Sequence, residues 1–492
     1  MDLSSVGLLV IGGLIIVAFV IGTLGILAYG FLFFFSNRLR EKHWQNRRRI
    51  LESLNPGEAP LDRFMVGYFH PYANAGAGGE RVLWAAVRDI QRRYPEVIHV
   101  VYTGDQGIIK DEVLKKVQAR FNIVLEPSSI AFVHLQKRYL VEESRYPRFT
   151  LIGQSLGSIF VGYEALSNVV PNLFFDTMGY AFTYPLVYLL CGCKIAAYVH
   201  YPTISSDMLA KVQDGTPRFT TDTTERRSWL WRFAKLGYYH IFAAIYGYCG
   251  RFADVVMANS TWTKGHVDQI WGTEATIVYP SCDTDHLNTL PLKARENYIL
   301  SVAQFRPEKD HSLQLRSLHK LFQDHPSLAK GPNAVRLVML GSSRNQGDED
   351  RIARLRNESQ ELGLTDNVIF AINAPFADLV SWLGRAKIGL HTMWNEHFGI
   401  GVVEYMAAAM IPVAHNSGGP KLDIVTEYNH QKTGFLAEDP QSFADAIYKV
   451  LTMPDDEYLA IANNARAAAS DKFSEVEFCD GLLACLGRIL TS

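Results

Sequence analysis

The sequence predicts an α/β protein in which two parallel-sheet domains face each other across a cleft, preceded by a membrane-spanning helix. Three observations lead to this fold class. A long uncharged apolar run opens the chain. Short β-branched or aromatic segments then alternate with helical segments, a pattern typical of a parallel sheet covered on both faces. A polar, proline-containing break at residues 280–296 precedes a second series of the same alternation.

The apolar run lies between Leu3 and Asn37 and contains no charged side chain. As a helix, residues 6–35 would be about 45 Å long, more than the hydrocarbon core of a bilayer requires. A cleaved signal peptide would have a basic start and a shorter run, whereas this chain starts with Asp2. We therefore predict a single retained transmembrane anchor with its basic flank at residues 1–50. Basic residues follow the run directly, so the positive-inside rule places the rest of the chain in the cytosol.

Two domains and a terminal helix are expected after the anchor. The N-terminal domain covers residues 63–285, with strands predicted at 64–70, 97–104, 121–126, 150–153, 173–176, 195–200, 254–258 and 276–279. The C-terminal domain covers residues 295–470, with strands predicted at 298–305, 335–341, 367–371, 388–392 and 411–415, and residues 471–492 form a last helix. Ligands of such sheets bind beyond the carboxyl ends of the strands, which predicts a site in the cleft between the domains.

Charge and cysteine content exclude two classes of partner. The formal net charge of the 492 residues is −2, so there is no overall basic field to attract nucleic acid. The six cysteines form no CxxC pair and lack metal-ligand spacing. Scattered free thiols fit a reducing compartment.

Two glutamates and a glycine-rich helix start carry the clearest chemical pattern. A helix is predicted from about Phe398, with Glu396 just before it and Glu404 inside it. In a fully helical stretch these carboxylates would be about 12 Å apart, too far for the acid–base pair of a glycosidase. The spacing suits an extended ligand with hydroxyls at both ends and a diphosphate between, whereas two solvated surface glutamates are the simpler alternative. Backbone N–H groups at the helix start are open to an anion, at Gly399, Ile400 and Gly401.

The Glu396–Glu404 spacing resembles the signature of the retaining glycosyltransferases with two Rossmann-like domains, the GT-B fold. The resemblance implies that Glu396 contacts the transferred sugar and that Glu404 holds the ribose hydroxyls. That family also places an arginine and a lysine on the donor diphosphate. Lys309 matches the lysine, but Gln304 stands at the usual arginine position and Arg306 lies two residues further on. Either Arg306 substitutes or the site has one cation fewer.

Two first-domain features resemble the same family. A glycine-rich loop follows the first predicted strand, and Gly78 and Gly79 let the backbone approach a phosphate. The family has such a loop near donor and acceptor, which implies acceptor contacts from His70 and Asn74. His200 coincides with the family's cleft histidine, which contacts the transferred sugar. The structural alternatives are a tight turn for the loop and a core role for the histidine.

At a finer level, the chain is similar to the α-1,2-mannosyltransferases of the dolichol pathway for N-linked glycans. Segments across nearly the whole chain carry this likeness: residues 70–84, 149–158, 198–205, 304–309, 391–404 and 414–425. The resemblance implies a GDP-mannose donor, a dolichol-linked oligosaccharide acceptor, and a catalytic part on the cytosolic face of the endoplasmic reticulum membrane. It also implies retention at the anomeric carbon without metal or cofactor. Other mannosyltransferases of the pathway are candidate partners.

Two other motifs and one non-enzymatic hypothesis are the alternatives. Residues 153–157 match the G-x-S-x-G motif of serine hydrolases, with Ser155 as nucleophile. Asp283 and Asp285 form a D-x-D pattern, which we interpret as linker carboxylates because it falls in the interdomain break. An inactive membrane-tethered scaffold is the third possibility, against which the retained Glu396, Lys309 and His200 argue.

Residues 229–246 combine aromatic and basic side chains in the first domain. Such composition suits the headgroup level of a membrane, and we predict that this helix lies against the cytosolic leaflet. A buried core helix is the alternative, because residues 241–246 are apolar all round.

Overall fold

The computed structural model describes residues 33–54, 62–74, 78–107, 109–205, 229–293 and 295–491, together with Thr23 and Gly30. The anchor predicted at residues 6–35 lies almost entirely outside this part of the chain and stays a prediction. Among the described residues, no helix has the length and apolar character needed to cross a membrane. Residues 33–54 form helix α1, which carries the basic flank.

Thirteen strands and fourteen further helices are described after α1. The strands are β1 Met65–Phe69, β2 Ile98–Thr103, β3 Ile130–His134, β4 Leu173–Asp176, β5 Lys194–Val199, β6 Val255–Ala258, β7 Thr276–Ile277, β8 Glu296–Val302, β9 Arg336–Gly341, β10 Val368–Ile372, β11 Ala386–His391, β12 Ile411–His415 and β13 Phe435–Ala437. The helices are α2 Gly78–Arg93, α3 Lys110–Phe121, α4 Thr150–Asn168, α5 Tyr184–Cys191, α6 Trp229–Gly250, α7 Thr261–Trp271, α8 Thr284–Leu287, α9 His311–Asp324, α10 Gln346–Glu361, α11 Phe376–Arg385, α12 Ile400–Ala407, α13 Pro440–Thr452, α14 Asp455–Phe473 and α15 Glu475–Leu490.

Both domains are built on all-parallel sheets, which confirms this part of the predicted fold class. The first sheet has the order β3-β2-β1-β4-β5-β6-β7, and the second has the order β10-β9-β8-β11-β12-β13. In each sheet the strand order reverses once, between β1 and β4 and between β8 and β11. These reversals are the topological switch points at which open α/β sheets bind their ligands.

Each sheet is buried on both faces. Along β1, Met65 and Phe69 belong to one apolar core while Val66 and Tyr68 belong to another, as the two-residue period of a strand requires. The second sheet is likewise covered by two cores. The apolar runs predicted as strands are therefore continuous rather than alternating.

Two of the predicted strands are wrong, and two strands, β3 and β13, were not foreseen. Phe121 ends α3, residues 122–126 form no regular structure, and Asn122 is left-handed, whereas the strand is β3, later in the chain. Residues 150–153 begin α4. Short apolar runs do not distinguish strand from helix, which explains both errors. The strand β13 has only three residues and follows a polar loop.

The last helix returns to the first domain. Apolar side chains of α15, including Phe478 and Leu482, complete the core beneath α2. Glu475 at its start accepts hydrogen bonds from Arg81, at 2.9 Å, and from Arg88. The two domains are therefore joined twice, by the 280–295 linker and by α15.

Candidate active site

Two histidines meet at the switch point of the first sheet. His70 follows β1, and its Nδ1 lies 2.7 Å from Thr177 Oγ1, which follows β4. His200 follows β5, and its imidazole hydrogen-bonds the Thr177 backbone carbonyl. Its Nε2 is buried and has no hydrogen-bond partner in the described chain. Thr177 thus fixes the orientation of both rings and leaves one ring nitrogen for a ligand.

Both rings are neutral at physiological pH. Burial lowers the pKa of His70 to about 3, helped by the neighbouring His200. Burial likewise lowers the pKa of His200 to about 4, against the effect of its hydrogen bond to Thr177. The Nε2 of neutral His200 is buried and has no partner among the described residues. It suits a sugar hydroxyl.

The start of α2, at Gly78 and Gly79, lies close to residues of both domains. A Cβ added to Gly79 would lie 3.6 Å from His200 Nε2, and one added to Gly78 would lie 4.0 Å from Ile400 Cγ2. The start of α2 therefore faces both the histidine and the start of α12. A larger side chain at position 79 would extend over the free nitrogen of His200.

Glu396 forms the charged centre of the second domain. Its carboxylate contacts Lys309 and lies 3.2 Å from His391 Nε2. Burial alone would raise its pKa, but the Lys309 charge and the His391 hydrogen bond hold that pKa well below the usual value. Thr392 Oγ1 binds the Lys309 carbonyl at 2.9 Å and fixes the lysine loop to the end of β11. Glu396 is thus an anion with a fixed counter-ion.

Glu404 lies on α12 and has a different environment. The helix begins after Gly399, whose φ of +106° only glycine adopts readily. Burial raises the Glu404 pKa, against the charges of Arg81 and Arg120. Within the described residues no hydrogen bond or ion pair is formed by its carboxylate. A partly buried carboxylate in this state has its full capacity to accept hydrogen bonds from a ligand.

A cavity of about 620 Å³ separates the domains. Of the predicted site residues it is lined by His70, Gly79, His200 and Arg306. Other walls come from Tyr72, Glu80, Gln154, Ser155, Ser158, Met178, Gly179, Tyr180, Phe182, Tyr201, Thr203, Gln304 and Arg344. Its volume falls within the roughly 300–1,000 Å³ of small-molecule sites.

Several predicted residues lie outside this cavity. The charged pair Glu396–Lys309, Glu404 and the α12 start do not line it. Asn74 lies apart from it, beside the ends of β2 and β3, where its carbonyl accepts a 2.8 Å hydrogen bond from Lys116. The structure therefore groups His70, Gly79, His200 and Arg306 but does not bring Asn74 to them.

Two arginines of the second domain face the cavity. Arg306 lies 3.7 Å from Glu308, and its Nε is buried without a hydrogen-bond partner among the described residues. Arg344, which follows β9, is held by Asp348 at 3.5 Å. Sequence reasoning missed Arg344, although its position after a strand in G-S-S-R was a usable signal. Cations are therefore present in the cavity although position 304 is a glutamine.

Contacts between the domains lie beside Glu396. His397 stacks on Tyr201 with ring centroids 4.1 Å apart and packs against Trp262 at 5.0 Å. Ser260 donates a hydrogen bond to the His397 carbonyl at 2.5 Å. Asp423 accepts hydrogen bonds from first-domain residues, including one of 2.9 Å from the Tyr279 hydroxyl. The residue next to Glu396 is thus held between the two domains.

The G-x-S-x-G segment lies inside α4 and not at the strand-to-helix turn that a hydrolase needs. A Cβ on Gly153 would come within 2.3 Å of the Tyr146 ring, and one on Gly157 within 1.9 Å of the Leu140 carbonyl oxygen. The two glycines are therefore explained by close packing. No hydrogen bond to a histidine or carboxylate activates Ser155 in the described chain.

The D-x-D segment is explained by a helix cap. The Asp283 side chain accepts a hydrogen bond from His286 N at 3.3 Å and caps α8. The described residues contain no group of three or more His, Cys, Asp or Glu side chains placed to hold a metal ion.

Comparisons with known families cover both domains. Residues 63–271 match the family described as ALG11 mannosyltransferase N-terminus, and residues 284–468 match the family described as glycosyl transferases group 1. Among solved structures, Anabaena HepE with UDP and glucose has a TM-score of 0.58 at 16% identity, covering 86% of this chain and 100% of that one. Sucrose-phosphate synthase from Thermosynechococcus elongatus has a TM-score of 0.60 at 16% identity, covering 87% and 99%. These likenesses concern the two-domain GT-B fold alone.

Closer relatives share one name, GDP-Man:Man(3)GlcNAc(2)-PP-Dol alpha-1,2-mannosyltransferase. The Mus musculus protein is 47% identical over 455 residues, which cover 91% of each chain. The Homo sapiens protein is 47% identical over 88% of each chain, and the Dictyostelium discoideum protein is 47% identical over 86% of this chain and 84% of its own. This protein therefore belongs to the family of GDP-Man:Man(3)GlcNAc(2)-PP-Dol alpha-1,2-mannosyltransferases.

Proposed function

We propose that this chain transfers mannose from GDP-mannose to a dolichol-diphosphate-linked oligosaccharide in α-1,2 linkage. The names of its relatives supply the substrates. The observation that carries the proposal is the cavity between the two switch points, which combines the unpartnered Nε2 of His200 with the cations of Arg306 and Arg344. A sugar hydroxyl and a diphosphate are the groups that such a pairing binds.

The donor would lie across the cleft between the domains. Glu404 would accept hydrogen bonds from the ribose hydroxyls, because its carboxylate has no partner among the described residues. The start of α12, at Gly399, Ile400 and Gly401, would receive the diphosphate on its N–H groups. His200 would accept a hydrogen bond from the mannose ring. Lys309 and Arg306 would stabilise the diphosphate as it leaves.

We propose that the configuration at the anomeric carbon is retained, because the mannose is α-linked in both the donor and the product. Glu396 is paired with Lys309 and His391, so it is better suited to hold the sugar and the lysine than to attack the anomeric carbon. The departing diphosphate would instead take the proton of the acceptor hydroxyl on the same face. The protein then contributes positioning and charge stabilisation. No metal or cofactor enters this scheme.

The lipid bilayer is the proposed partner of one apolar face, near the end of the predicted anchor. This face consists of exposed side chains on α1, α4, α5 and α6 and at the N-cap of α4: Phe33, Phe34, Phe149, Ile152, Leu156, Phe160, Tyr188, Leu189, Ile241, Ile245 and Tyr248. Helix α1 joins it directly, since Phe35 packs on Tyr163 at 5.3 Å and Ser36 donates a 3.0 Å hydrogen bond to the Leu190 carbonyl. Apolar patches of this extent mark interaction surfaces.

Helix α6 has a buried side and an exposed side, so the core helix and the membrane-facing helix considered for residues 229–246 each describe part of it. Phe242 and Tyr246 are buried in the first-domain core, whereas Ile241 and Ile245 are exposed. The side chains of residues 229–235 lie outside the described part. An endoplasmic reticulum location with cytosolic domains and a single membrane span is proposed from the resemblance and the charge asymmetry.

An acceptor-dependent assay tests the proposed activity. The full-length chain in detergent receives GDP-mannose with or without Man(3)GlcNAc(2)-PP-Dol, and released GDP is measured. We expect release only when the acceptor is present, and none with UDP-glucose. Equal release from both donors, or release that ignores the acceptor, would contradict the proposal.

A further inference from the structure

Helix α4 presents two different faces to its surroundings. Gln154, Ser155 and Ser158 face the cavity, at the spacing of one side of a helix. Ile152, Leu156 and Phe160 form an adjacent exposed stripe. The helix is therefore the wall between the cavity and the apolar face defined above.

The hydrogen-bonding capacity of the polar face is incompletely used. The Ser158 hydroxyl donates to the Ser155 carbonyl at 2.7 Å, and the Gln154 Nε2 donates to the Val141 carbonyl at 2.9 Å. The hydroxyl of Ser155 and the Oε1 of Gln154 make no hydrogen bond within the described residues. One donor–acceptor group and one acceptor thus remain available in the cavity.

The same cavity also has apolar and aromatic walls. Tyr72, Met178, Tyr180 and Phe182 line it. A sugar has hydroxyls that need directed partners and an apolar C–H face that packs on aromatic rings. These side chains therefore match a sugar in chemistry, and none of them carries the positive charge that a diphosphate needs.

We propose that Ser155 and Gln154, with the aromatic wall of Tyr72 and Phe182, form the subsite for the terminal mannose of the acceptor glycan. This inference rests on the proposed mannosyl transfer. The Ser155 hydroxyl exchanges hydrogen bonds with a mannose hydroxyl, and the rings pack on the sugar face. The subsite lies one helix, roughly 10 Å, from the apolar face, so a lipid-linked glycan reaches it from the membrane side.

The test compares two serines on the same helix. Ser155→Met fills the subsite, and Ser167→Met is the matched control, because Ser167 lies near the other end of α4 and its hydroxyl donates to the Tyr163 carbonyl. We expect Ser155→Met to raise the acceptor KM at least ten-fold while the donor KM changes less than two-fold. Ser155→Ala removes one hydrogen bond and should raise the acceptor KM roughly two- to ten-fold with kcat retained. Ser167→Met should leave both constants unchanged.

The outcomes separate this inference from the proposed function. An unchanged acceptor KM in Ser155→Met would overturn the subsite, and so would an equal rise in donor KM, because Ser155 would then belong to the donor site. If the wild type transfers no mannose, the proposed function fails. Binding of free α-1,2-mannobiose, followed by ligand-observed NMR, then decides the subsite: we expect binding to the wild type and none to Ser155→Met, and the opposite result overturns it.

Discussion

Some candidate residues in the cleft carry hydrogen-bonding groups that have no partner among the described residues. The Nε2 of His200 and the carboxylate of Glu404 have no partners among the described residues, whereas Glu396 and Lys309 satisfy each other. The resemblance to retaining GT-B glycosyltransferases identified these four residues as candidates, and the Glu396–Glu404 spacing supported two of them. Thr177 was not foreseen, because its role depends on β4 lying beside β1 and β5, which spacing alone does not reveal.

Glu404 should govern binding of the nucleotide. Glu404→Ala removes the acceptor for two ribose hydroxyls, and hydrogen bonds to a charged group contribute about 1.5–3 kcal/mol, or roughly ten- to 150-fold in affinity. Isothermal titration with GDP measures this loss. Glu457→Ala on α14, an exposed glutamate, is the control and should bind GDP normally. GDP affinity that survives Glu404→Ala intact would remove this residue from the donor site.

A single and a double variant should separate the contribution of the Lys309–Glu396 pair to stability from its contribution to catalysis. Lys309→Met leaves a partly buried carboxylate without its counter-ion, so we expect a lower Tm as well as slower turnover and weaker donor binding. Adding Glu396→Gln removes the unpaired charge and should restore much of the Tm. Turnover should stay low in the double variant. Recovery of turnover together with Tm would mean that the pair is structural only.

Helix α4 illustrates at the scale of elements where sequence prediction failed. Its first four residues were predicted as a strand, and its G-x-S-x-G segment then matched a hydrolase elbow. The glycines serve the packing of α4 against the 138–146 segment, a tertiary contact that the local sequence pattern does not reveal. Most other strands were predicted within about two residues, because their buried β-branched runs are bounded by polar turns.

Gly157 should be intolerant of any side chain. Gly157→Ala places a Cβ against the Leu140 carbonyl oxygen, and overpacking of this kind costs about 1–3 kcal/mol. Gly237→Ala on α6 meets nothing within 4 Å and should instead stabilise the helix by about 0.5–1 kcal/mol. Urea denaturation compares the two. Equal effects on the free energy of unfolding would contradict the packing explanation.

The apolar face should bind membranes without the anchor. A chain lacking residues 1–32 keeps α1 and should still co-sediment with anionic liposomes, because α4 and α6 expose large apolar side chains. Replacing Leu156, Phe160 and Ile241 with Ser should abolish this association. Val476→Ser, an exposed apolar residue on α15, is the control and should not. Absence of liposome binding by the truncated chain would leave docking to the anchor alone.

At the scale of the whole molecule, the two domains close on each other through His397 and Asp423. The two-sheet architecture followed from the repeated alternation of strands and helices. The contacts between domains did not, because they join residues more than 130 positions apart and depend on domain orientation. The return of α15 to the first domain was likewise not visible in the sequence.

Buried histidines should make the whole molecule sensitive to acid. Burial lowers the pKa of His70 and His99 to about 3, and of His311 and His397 to about 4. Unfolded histidine titrates near pH 6.5, so between about pH 6.5 and 4 the unfolded chain binds more protons and stability falls as pH falls. Asp176, with a pKa raised to about 6, opposes part of this loss.

Urea denaturation at pH 7 and pH 5.5 measures this dependence. Each neutral histidine contributes up to about 1.4 kcal/mol per pH unit, so the wild type should lose several kcal/mol of unfolding free energy. His99→Gln, in the first-domain core, should reduce the loss of unfolding free energy between the two pH values by the contribution of one histidine. His286→Gln is the exposed control. A wild type equally stable at both pH values would show that these rings are not held neutral.

The central claim, mannosyl transfer in the cleft, is tested most directly by the product. The full-length chain is incubated with GDP-mannose and Man(3)GlcNAc(2)-PP-Dol, and the glycan is then released. Its mass is measured by mass spectrometry before and after digestion with an α-1,2-specific mannosidase. We expect a mass increase by whole hexose units that the mannosidase removes, and retained kcat in Ser155→Ala. An unextended glycan, or an activity that disappears in well-folded Ser155→Ala, would contradict it.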